Sequence, residues 1–295
     1  MKRKLLFKKG LHLTFWCFSL VFLLLPSNSV GQAFTGTYTF TGSSGNVSSF
    51  AYNGSTITNL TVSPLTKEGV TTSSSSGNFR ANDWDTGSTD GGAAGGSVNL
   101  SKYFQFTISA TSGYTLSNMS INFGAGRSST GPRLFQWRSS VDNYATLLPL
   151  TSSNGSVSIT SNVLQIPDAN NGYTGNTATS SATGVTSITF RVYAYGSEST
   201  GGTGGLQGNL IFNGTLAAVV TAPVVTTDLT PSSIGTTSAT LGGNVTSDGG
   251  SAVTGRGIVY AASATNTNPL IGGTGVVDSS TTGTTGTFSV SESSL

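Results

Sequence analysis

Residues 103–140 read YFQFTISATSGYTLSNMSINFGAGRSSTGPRLFQWRSS and contain three segments in which apolar and polar side chains alternate. In the first segment, Phe104, Phe106 and Ile108 alternate with hydroxyl and amide side chains. In the third, Trp137 is in phase with the phenylalanine two positions before it. A period of two between turns that contain glycine is typical of half-buried antiparallel strands. The stretch therefore predicts an all-β domain with these apolar residues in its core.

The composition favours folded β-structure over disorder. The 295 residues include 40 Gly, 8% are charged and 9% are aromatic. Disordered chains are poor in aromatic and β-branched residues, whereas this chain contains many of both. Its length allows one large domain or two of ordinary size. Thr- and Gly-rich sequence with spaced aromatic residues fits short strands that are joined by tight turns.

The first 33 residues have the pattern of a secretory signal peptide. Five Lys or Arg residues near the start precede an apolar segment over residues 11–25, which Pro26 ends, and small residues follow between 29 and 33. The apolar segment is shorter than the ~20 residues that a membrane-spanning helix needs. We therefore expect a protein that is secreted or held at the cell surface, with no membrane span in the mature chain.

Removal of this leader changes the charge and the chemistry of the chain. Five of the 13 basic residues precede residue 34 and all 11 acidic residues follow it, so residues 34–295 carry 8 − 11 = −3. This balance argues against nucleic acid as a partner. The only Cys, Cys17, and the only His, His12, also lie in the leader. Their loss excludes a disulfide, a Ser-His-Asp triad and a His- or Cys-ligated zinc site, and we expect no enzymatic activity.

Residues 34–216 are predicted to form one β-sandwich domain. Roughly eight or nine strands fit this length, which suits a jelly roll of two sheets. Asn53-Gly54 is expected to form a hairpin turn, because Asn-Gly favours the tight turns of two-residue hairpins. Besides the three central strands, the expected strand segments are 37–40, 49–62, 157–166, 185–195 and 206–216.

The order of several segments in this domain resembles a recurrent N-terminal domain of large secreted bacterial surface proteins. The segments are YTFTGSSG, GNFRANDWDTG, the central stretch quoted above, WRSSVDNYATLL, ITFRVYAYGSESTGGT and LQGNLIFNGTL. The resemblance covers nearly all of residues 36–216 and implies a jelly-roll fold of the galactose-binding-like type. The family usually ends in an Asp-Asn-Val-like strand, whereas this chain has Gly208-Asn209-Leu210.

Residues 217–223 are predicted to be a linker, and residues 224–295 resemble a fibronectin type III-like module. The resemblance rests on SATLGGNV at 238–245, on Asp248-Gly249, which is expected to form a hairpin turn, and on RGIVY at 256–260. Residues 286–290 are expected to form a later strand. Such a sandwich takes about 100 residues, so we expect the module to be truncated within this sequence.

The best candidate site is the loop that begins at Arg80. Asp83, Asp85 and Asp90 are hard oxygen ligands of the kind that calcium prefers. Alternatively, a sugar would stack on Trp84 while the carboxylates and Arg80 bind its hydroxyl groups. A third interpretation is that Trp84 anchors the loop in the core and that the acidic groups are solvated.

Two further groups are weaker candidates. Arg127 and Arg133 flank a Gly- and Pro-containing turn, where they would clamp an acidic sugar unless they are simply solvated. Tyr193, Tyr195 and Glu198 end the longest predicted strand and form another candidate rim.

Three functions are compatible with these features. In the first, the protein is a non-catalytic extracellular module pair, in which the jelly roll binds a glycan or a cell-surface polymer and the fibronectin-like module is a spacer. In the second, it is a structural or adhesive surface protein without a small ligand. In the third, it is the non-catalytic N-terminal part of a longer polysaccharide-degrading enzyme.

The incomplete module leads to a testable prediction. A half-open sandwich exposes apolar strand edges and buries less surface, so we expect residues 222–295 to be unstable on their own. Amide hydrogen exchange should be fast across these residues and slow in the strands of residues 34–216. Strong protection across 222–295 would contradict the prediction.

Overall fold

A computed structural model describes residues 15–20, 31–42, 45–89, 93–167, 172–228 and 230–295. Most of the leader expected at residues 1–33, including His12, lies outside these residues. The chain divides into two compact units, Val30–Ala218 and Val219–Leu295, and strand Phe15–Leu20 belongs with the second. Within the described ranges, no helix is both long and apolar enough to cross a membrane.

The first unit consists of strands of 2 to 15 residues and one 3-10 helix, Ser140–Asp142, among the residues that the structure describes. Strand β1, Phe15–Leu20, lies outside this unit. The strands of the unit are β2 (Gln32–Thr39), β3 (Ser49–Phe50), β4 (Leu60–Val62), β5 (Leu65–Glu68), β6 (Thr71–Thr72), β7 (Asn78–Asn82), β8 (Tyr103–Ala110), β9 (Tyr114–Arg127), β10 (Leu134–Ser139), β11 (Leu150–Ser152), β12 (Ser158–Thr160), β13 (Val163–Gln165), β14 (Tyr173–Thr179), β15 (Ser187–Tyr195) and β16 (Gly204–Ala218).

These strands form two antiparallel sheets, which confirms the all-β class. The eight-stranded sheet has the order β12-β13-β10-β15-β8-β5-β3, with β4 also paired to β8. The seven-stranded sheet has the order β11-β14-β9-β16-β7-β6, with β2 also paired to β16. The expected eight or nine strands were too few, because several strands are only two or three residues long and carry no visible periodicity in the sequence.

Aromatic side chains from both sheets form the core between them. Phe106 of β8 contacts Tyr38 and Phe212 of the other sheet, with ring centroids 5.6 and 5.8 Å apart. Trp137 of β10 contacts Phe123 of β9 at 5.3 Å. All five rings are buried. The inward orientation that the alternation predicts for Phe106 and Trp137 is therefore confirmed.

The hairpin expected at Asn53-Gly54 does not form. The strands on either side of it do not pair with each other, since β3 pairs with β5 and β4 with β8. Instead, the Asn53 amide oxygen accepts from the Thr39 N–H and its nitrogen donates to the Thr39 carbonyl, both at 2.9 Å. The Asn side chain thus substitutes for a strand partner of β2, which is a general ability of short amide side chains.

The second unit contains two three-stranded antiparallel sheets. One has the order β17-β18-β21 and the other the order β1-β19-β20. Asp248-Gly249 therefore does not close a hairpin, because the strands before and after it, β18 and β19, belong to different sheets. The strands are β17 (Val224–Thr227), β18 (Ala239–Ser247), β19 (Gly255–Ala262), β20 (Val276–Thr282) and β21 (Gly286–Glu292).

The core of the first unit contains a buried lysine. Lys67 of β5 is 7% exposed and lies in phase with Leu65, on the inner side of the strand. Its ammonium donates to the carbonyl oxygens of Gly45 at 3.0 Å and Arg80 at 2.6 Å and lies 4.4 Å from the centroid of the Phe79 ring. Desolvation by burial lowers the pKa of Lys67 to about 8.

This pKa makes the stability of the protein depend on pH. Between pH 8 and 10, Lys67 is neutral in the folded state but still protonated in the unfolded chain, so the free energy of unfolding should rise by about 2 kcal/mol. Above pH 10 the trend should reverse, because burial raises the pKa of Tyr38 and the unfolded chain then loses protons first. Urea unfolding at pH 7 to 10 tests this prediction.

The matched variant is Lys67→Met, which keeps the length of the side chain without its charge. We expect the rise between pH 8 and 10 to disappear in this variant. An equal rise in the variant and the native chain would show that another group causes it.

Candidate functional site

Trp84, predicted to stack on a sugar, is part of the core instead. Its indole is 0% exposed, and its ring packs edge-on against Phe104 at 5.2 Å. The indole N–H donates to the carbonyl oxygens of Ala81 at 2.9 Å and Gly204 at 3.1 Å. No face of the ring is open to a ligand. This placement corrects the stacking hypothesis, and the alternative that Trp84 anchors the loop is the arrangement observed.

The aspartates of the loop face a lysine. Lys102 Nζ lies 2.8 Å from Asp85 Oδ1 and 3.8 Å from Asp83 Oδ1, and it donates to the Asp83 carbonyl at 2.5 Å. Asp90, the third expected calcium ligand, lies outside the described residues. Among the residues that are described, no three His, Cys, Asp or Glu side chains lie close enough together to hold a metal ion. A calcium ion at Asp83 and Asp85 would have to displace the ammonium of Lys102.

Arg80 points away from these aspartates. It is 8% exposed, and its Nη2 donates to the Gln207 side-chain oxygen. The guanidinium lies against Gly126, where even a β-carbon would collide with it. Burial lowers the pKa of Arg80. The expectation that Arg80 and the loop carboxylates bind one sugar together is therefore wrong, because the strand β7 directs them to different partners.

Arg127 and Arg133, expected to clamp an acidic sugar, face an internal carboxylate. Arg127 is 0% exposed and its Nη2 lies 2.7 Å from Glu198 Oε1, while Arg133 Nη1 lies 4.0 Å from the same oxygen. Arg127 Nε also donates to the Gly131 carbonyl at 3.0 Å, which fixes the turn after β9. The two guanidinium groups thus hold loops of the protein together, and this corrects their assignment to a ligand.

A depression on the outer side of the seven-stranded sheet has a volume of about 360 Å³. It lies where register shifts interrupt the pairing of β9 with both β14 and β16. No charged side chain lines it. The lining residues are Asn122, Phe123, Gly124, Thr174, Gly175, Gly208, Asn209 and Ile211.

The outer side of the eight-stranded sheet has the strongest site geometry, on three adjacent strands, β8, β15 and β10. We call this surface the tyrosine–arginine face. It consists of Tyr103, Gln105, Gln136, Arg138, Tyr144, Arg191 and Tyr193.

Arg191 is the centre of the tyrosine–arginine face. Its guanidinium lies between two aromatic rings, 4.1 Å from the centroid of Tyr103 and 3.8 Å from that of Tyr144. Its Nε donates to Gln105 Oε1 at 3.0 Å. Arginine stacked on aromatic rings in this way gains cation–π energy and loses mobility. The guanidinium and the two half-buried tyrosines therefore form a preorganised stack.

Strand register brings these side chains together. Arg191 pairs with Arg138 on one side and with Gln105 on the other, and Tyr193 pairs with Gln136. Because side chains alternate along a strand, residues two apart on β15 share the outer side. The Tyr193 ring packs edge-on against Tyr103 at 5.6 Å.

A strained loop places Tyr144 on the tyrosine–arginine face. After the 3-10 helix, Asn143 and Tyr144 have φ values of 56° and 61°, which are rare for residues other than glycine. The Asp142 carboxylate stabilises this loop by accepting from the N–H groups of Ala145 at 3.2 Å and Thr146 at 2.8 Å. For Tyr144 this backbone conformation costs about 1–3 kcal/mol, whereas asparagine adopts it readily.

Tyr193 is the buried member of the tyrosine–arginine face. Its ring is 1% exposed, and burial raises the pKa of its hydroxyl against the opposing effect of Arg191 and Arg138. The rim expected from Tyr193, Tyr195 and Glu198 does not form as one group. Tyr193 lies on the outer side of the sheet, whereas Glu198 is turned to Arg127.

Sequence reasoning did not identify Arg138, Tyr144 or Arg191 as site residues. The outward phase of Gln105 and Arg191 follows from the alternation along their strands, but the pairing of β10, β15 and β8 does not. Comparisons with protein-family models, with curated proteins and with solved structures gave no match. The jelly-roll and fibronectin resemblances therefore stay predictions.

The buried ion pair of Glu198 provides a stability test. Replacing Glu198 by Gln removes the carboxylate that faces two buried guanidinium groups, so we expect a loss of about 3 kcal/mol in the free energy of unfolding. Urea denaturation measures it. The matched control is Glu68→Gln on the exposed side of β5, which should change stability by less than about 0.5 kcal/mol. Equal effects would contradict the structural role of Glu198.

Proposed function

We propose that the protein is a non-catalytic extracellular glycan-binding protein, and that the first unit binds the glycan on its tyrosine–arginine face. The observation that carries the proposal is the Tyr103–Arg191–Tyr144 stack, with ring-to-guanidinium distances of 4.1 and 3.8 Å. Tyrosine rings offer an apolar surface to the C–H groups of a sugar and a hydroxyl to its oxygens.

Polar side chains beside the rings support binding of a hydroxyl-rich ligand. Gln105, Thr107 and Thr189 lie beside the stack on the same side of the sheet. Binding sites for small ligands combine apolar surface with a few fixed polar groups. Here the amides are held by the arginines, since Gln105 accepts from Arg191.

Two features of the sequence support the non-catalytic and extracellular parts of the proposal. Residues 34–295 contain neither His nor Cys, the commonest general base and the strongest nucleophile in proteins. The leader pattern of residues 1–33 favours export. In this proposal, the second unit is a spacer between the glycan-binding unit and the cell surface or a neighbouring domain.

A glycan-array screen of the purified chain tests the proposal. Tyr103→Ala and Tyr144→Ala should each weaken binding to any glycan that is found by about tenfold, because each removes one side of the stack. The control is Val141→Ala in the same loop, where the side chain is 50% exposed and outside the tyrosine–arginine face. Binding that survives both tyrosine substitutions would place the site elsewhere, and a native chain that binds no glycan would leave a structural role.

A further inference from the structure

We propose that the tyrosine–arginine face selects saccharides that carry a carboxylate, such as uronic acids, and that Arg191 and Arg138 determine this selectivity. This inference rests on the glycan-binding function proposed above and names the class of glycan. The juxtaposition that carries it is a cross-strand pair of arginines beside stacked tyrosine rings.

Two arginines occupy directly opposed positions on neighbouring strands. Arg138 and Arg191 are register partners on the antiparallel strands β10 and β15. Side chains of directly opposed residues have β-carbons about 4.5–5.5 Å apart, and like charges in such positions destabilise a sheet. An anion between the two guanidinium groups would relieve this repulsion.

The described residues of the protein do not supply that anion. The ion pairs found there involve Lys102, Arg127 and Arg133, not Arg138 or Arg191. The acidic residue closest in sequence to Tyr144 is Asp142, and its carboxylate accepts from the N–H groups of its own loop. Arg127 and Arg133 differ from this pair, because both face the carboxylate of Glu198. Where arginines have a structural role, the fold thus provides them with a carboxylate partner.

Neutral groups hold the two cations in place. Arg138 Nη1 donates to the carbonyl oxygens of Tyr144 at 2.8 Å and Ala145 at 3.1 Å. With the Gln136 amide oxygen turned towards it, Arg138 also donates Nε and Nη2 to that oxygen at 3.3 Å each. Carbonyl and amide oxygens orient the guanidinium without neutralising its charge. Both cations are thereby fixed in position with their charges uncompensated.

The side chains of the tyrosine–arginine face match two chemical features of one ligand. Planar guanidinium groups match a carboxylate through two parallel hydrogen bonds, and the adjacent rings of Tyr103 and Tyr144 match the C–H groups of a pyranose. A uronic acid carries both on one residue. Single-stranded nucleic acid would also stack on these rings, but residues 34–295 carry 11 acidic and 8 basic side chains, which is not the balance of a phosphate-backbone binder.

Matched ligands test the selectivity directly. Isothermal titration of the full chain would compare an oligogalacturonate with the same oligosaccharide after methyl esterification, which removes the charge and keeps the backbone. We expect the acid to bind at least about tenfold more tightly, the effect of one charge-assisted hydrogen-bond pair. Its affinity should fall with rising salt concentration, whereas that of the ester should not.

Substitutions assign the selectivity to the arginines. Arg191→Gln should make acid and ester bind equally, and Arg138→Gln should reduce the preference. Arg191→Lys keeps the charge but not the planar fork, so part of the preference should remain. The control is Arg256→Gln, which removes one positive charge from the second unit and should leave the preference unchanged. Thermal unfolding of each variant verifies that it is folded.

The outcomes separate this inference from the function on which it rests. If the native chain binds acid and ester equally and both are lost in Tyr144→Ala, glycan binding stands and the acidic selectivity is overturned. If neither oligosaccharide binds and the glycan array is also negative, both proposals are overturned. Tighter binding of a single-stranded oligonucleotide than of the oligogalacturonate would overturn the ligand class.

Discussion

Interlocking aromatic rings between the two sheets are the contact on which the first unit depends. Phe106 touches rings of both sheets, namely Phe190 in its own sheet and Tyr38 and Phe212 in the opposite one. Each buried aromatic side chain removes a large apolar area from water, and the edge-to-face pair of Tyr38 and Phe106 adds further energy. With neither His nor Cys after residue 34, the sandwich has no disulfide or His-ligated metal there to stabilise it, so this packing carries that role.

The core occupies the inner sides of the two sheets. The charged side chains of the first unit differ in the partners that they have. Cations inside or between loops have internal partners: Lys67 binds carbonyl oxygens, and Arg127 binds Glu198. Lys102 binds the aspartates that the sequence suggested for calcium. Arg138 and Arg191 differ, because aromatic rings and neutral oxygens hold them while no carboxylate of the described residues pairs with either. This difference is the reason why we propose a binding role for Arg138 and Arg191 and a structural role for the arginines that share Glu198.

The candidate site could be predicted only in part. Trp84 and the aspartates around it looked like a ligand-binding loop because aromatic and acidic residues cluster there in the sequence. The loop instead turns Trp84 into the core, where its N–H reaches two carbonyl oxygens. A cluster in the sequence does not reveal which side chains point inwards in an irregular segment, since no periodicity fixes their direction. The sequence likewise contains no signal that the side chains of Arg80 and Arg127 are buried.

The sequence by itself determined the all-β class and the two sides of the strands with clear alternation. The alternation in β8 assigned Phe106 to the core and Gln105 to the outer side, because the period of two is a local property of extended chain. Only the tertiary structure decided which strands become neighbours, and therefore which outward side chains lie side by side. Arg191 faces Gln105 and Arg138, which are 86 and 53 positions away in the chain, and consecutive strands such as β8 and β9 belong to different sheets. Strand neighbours are fixed by the packing of the whole core, so the tyrosine–arginine face exists only once the two sheets have closed on each other.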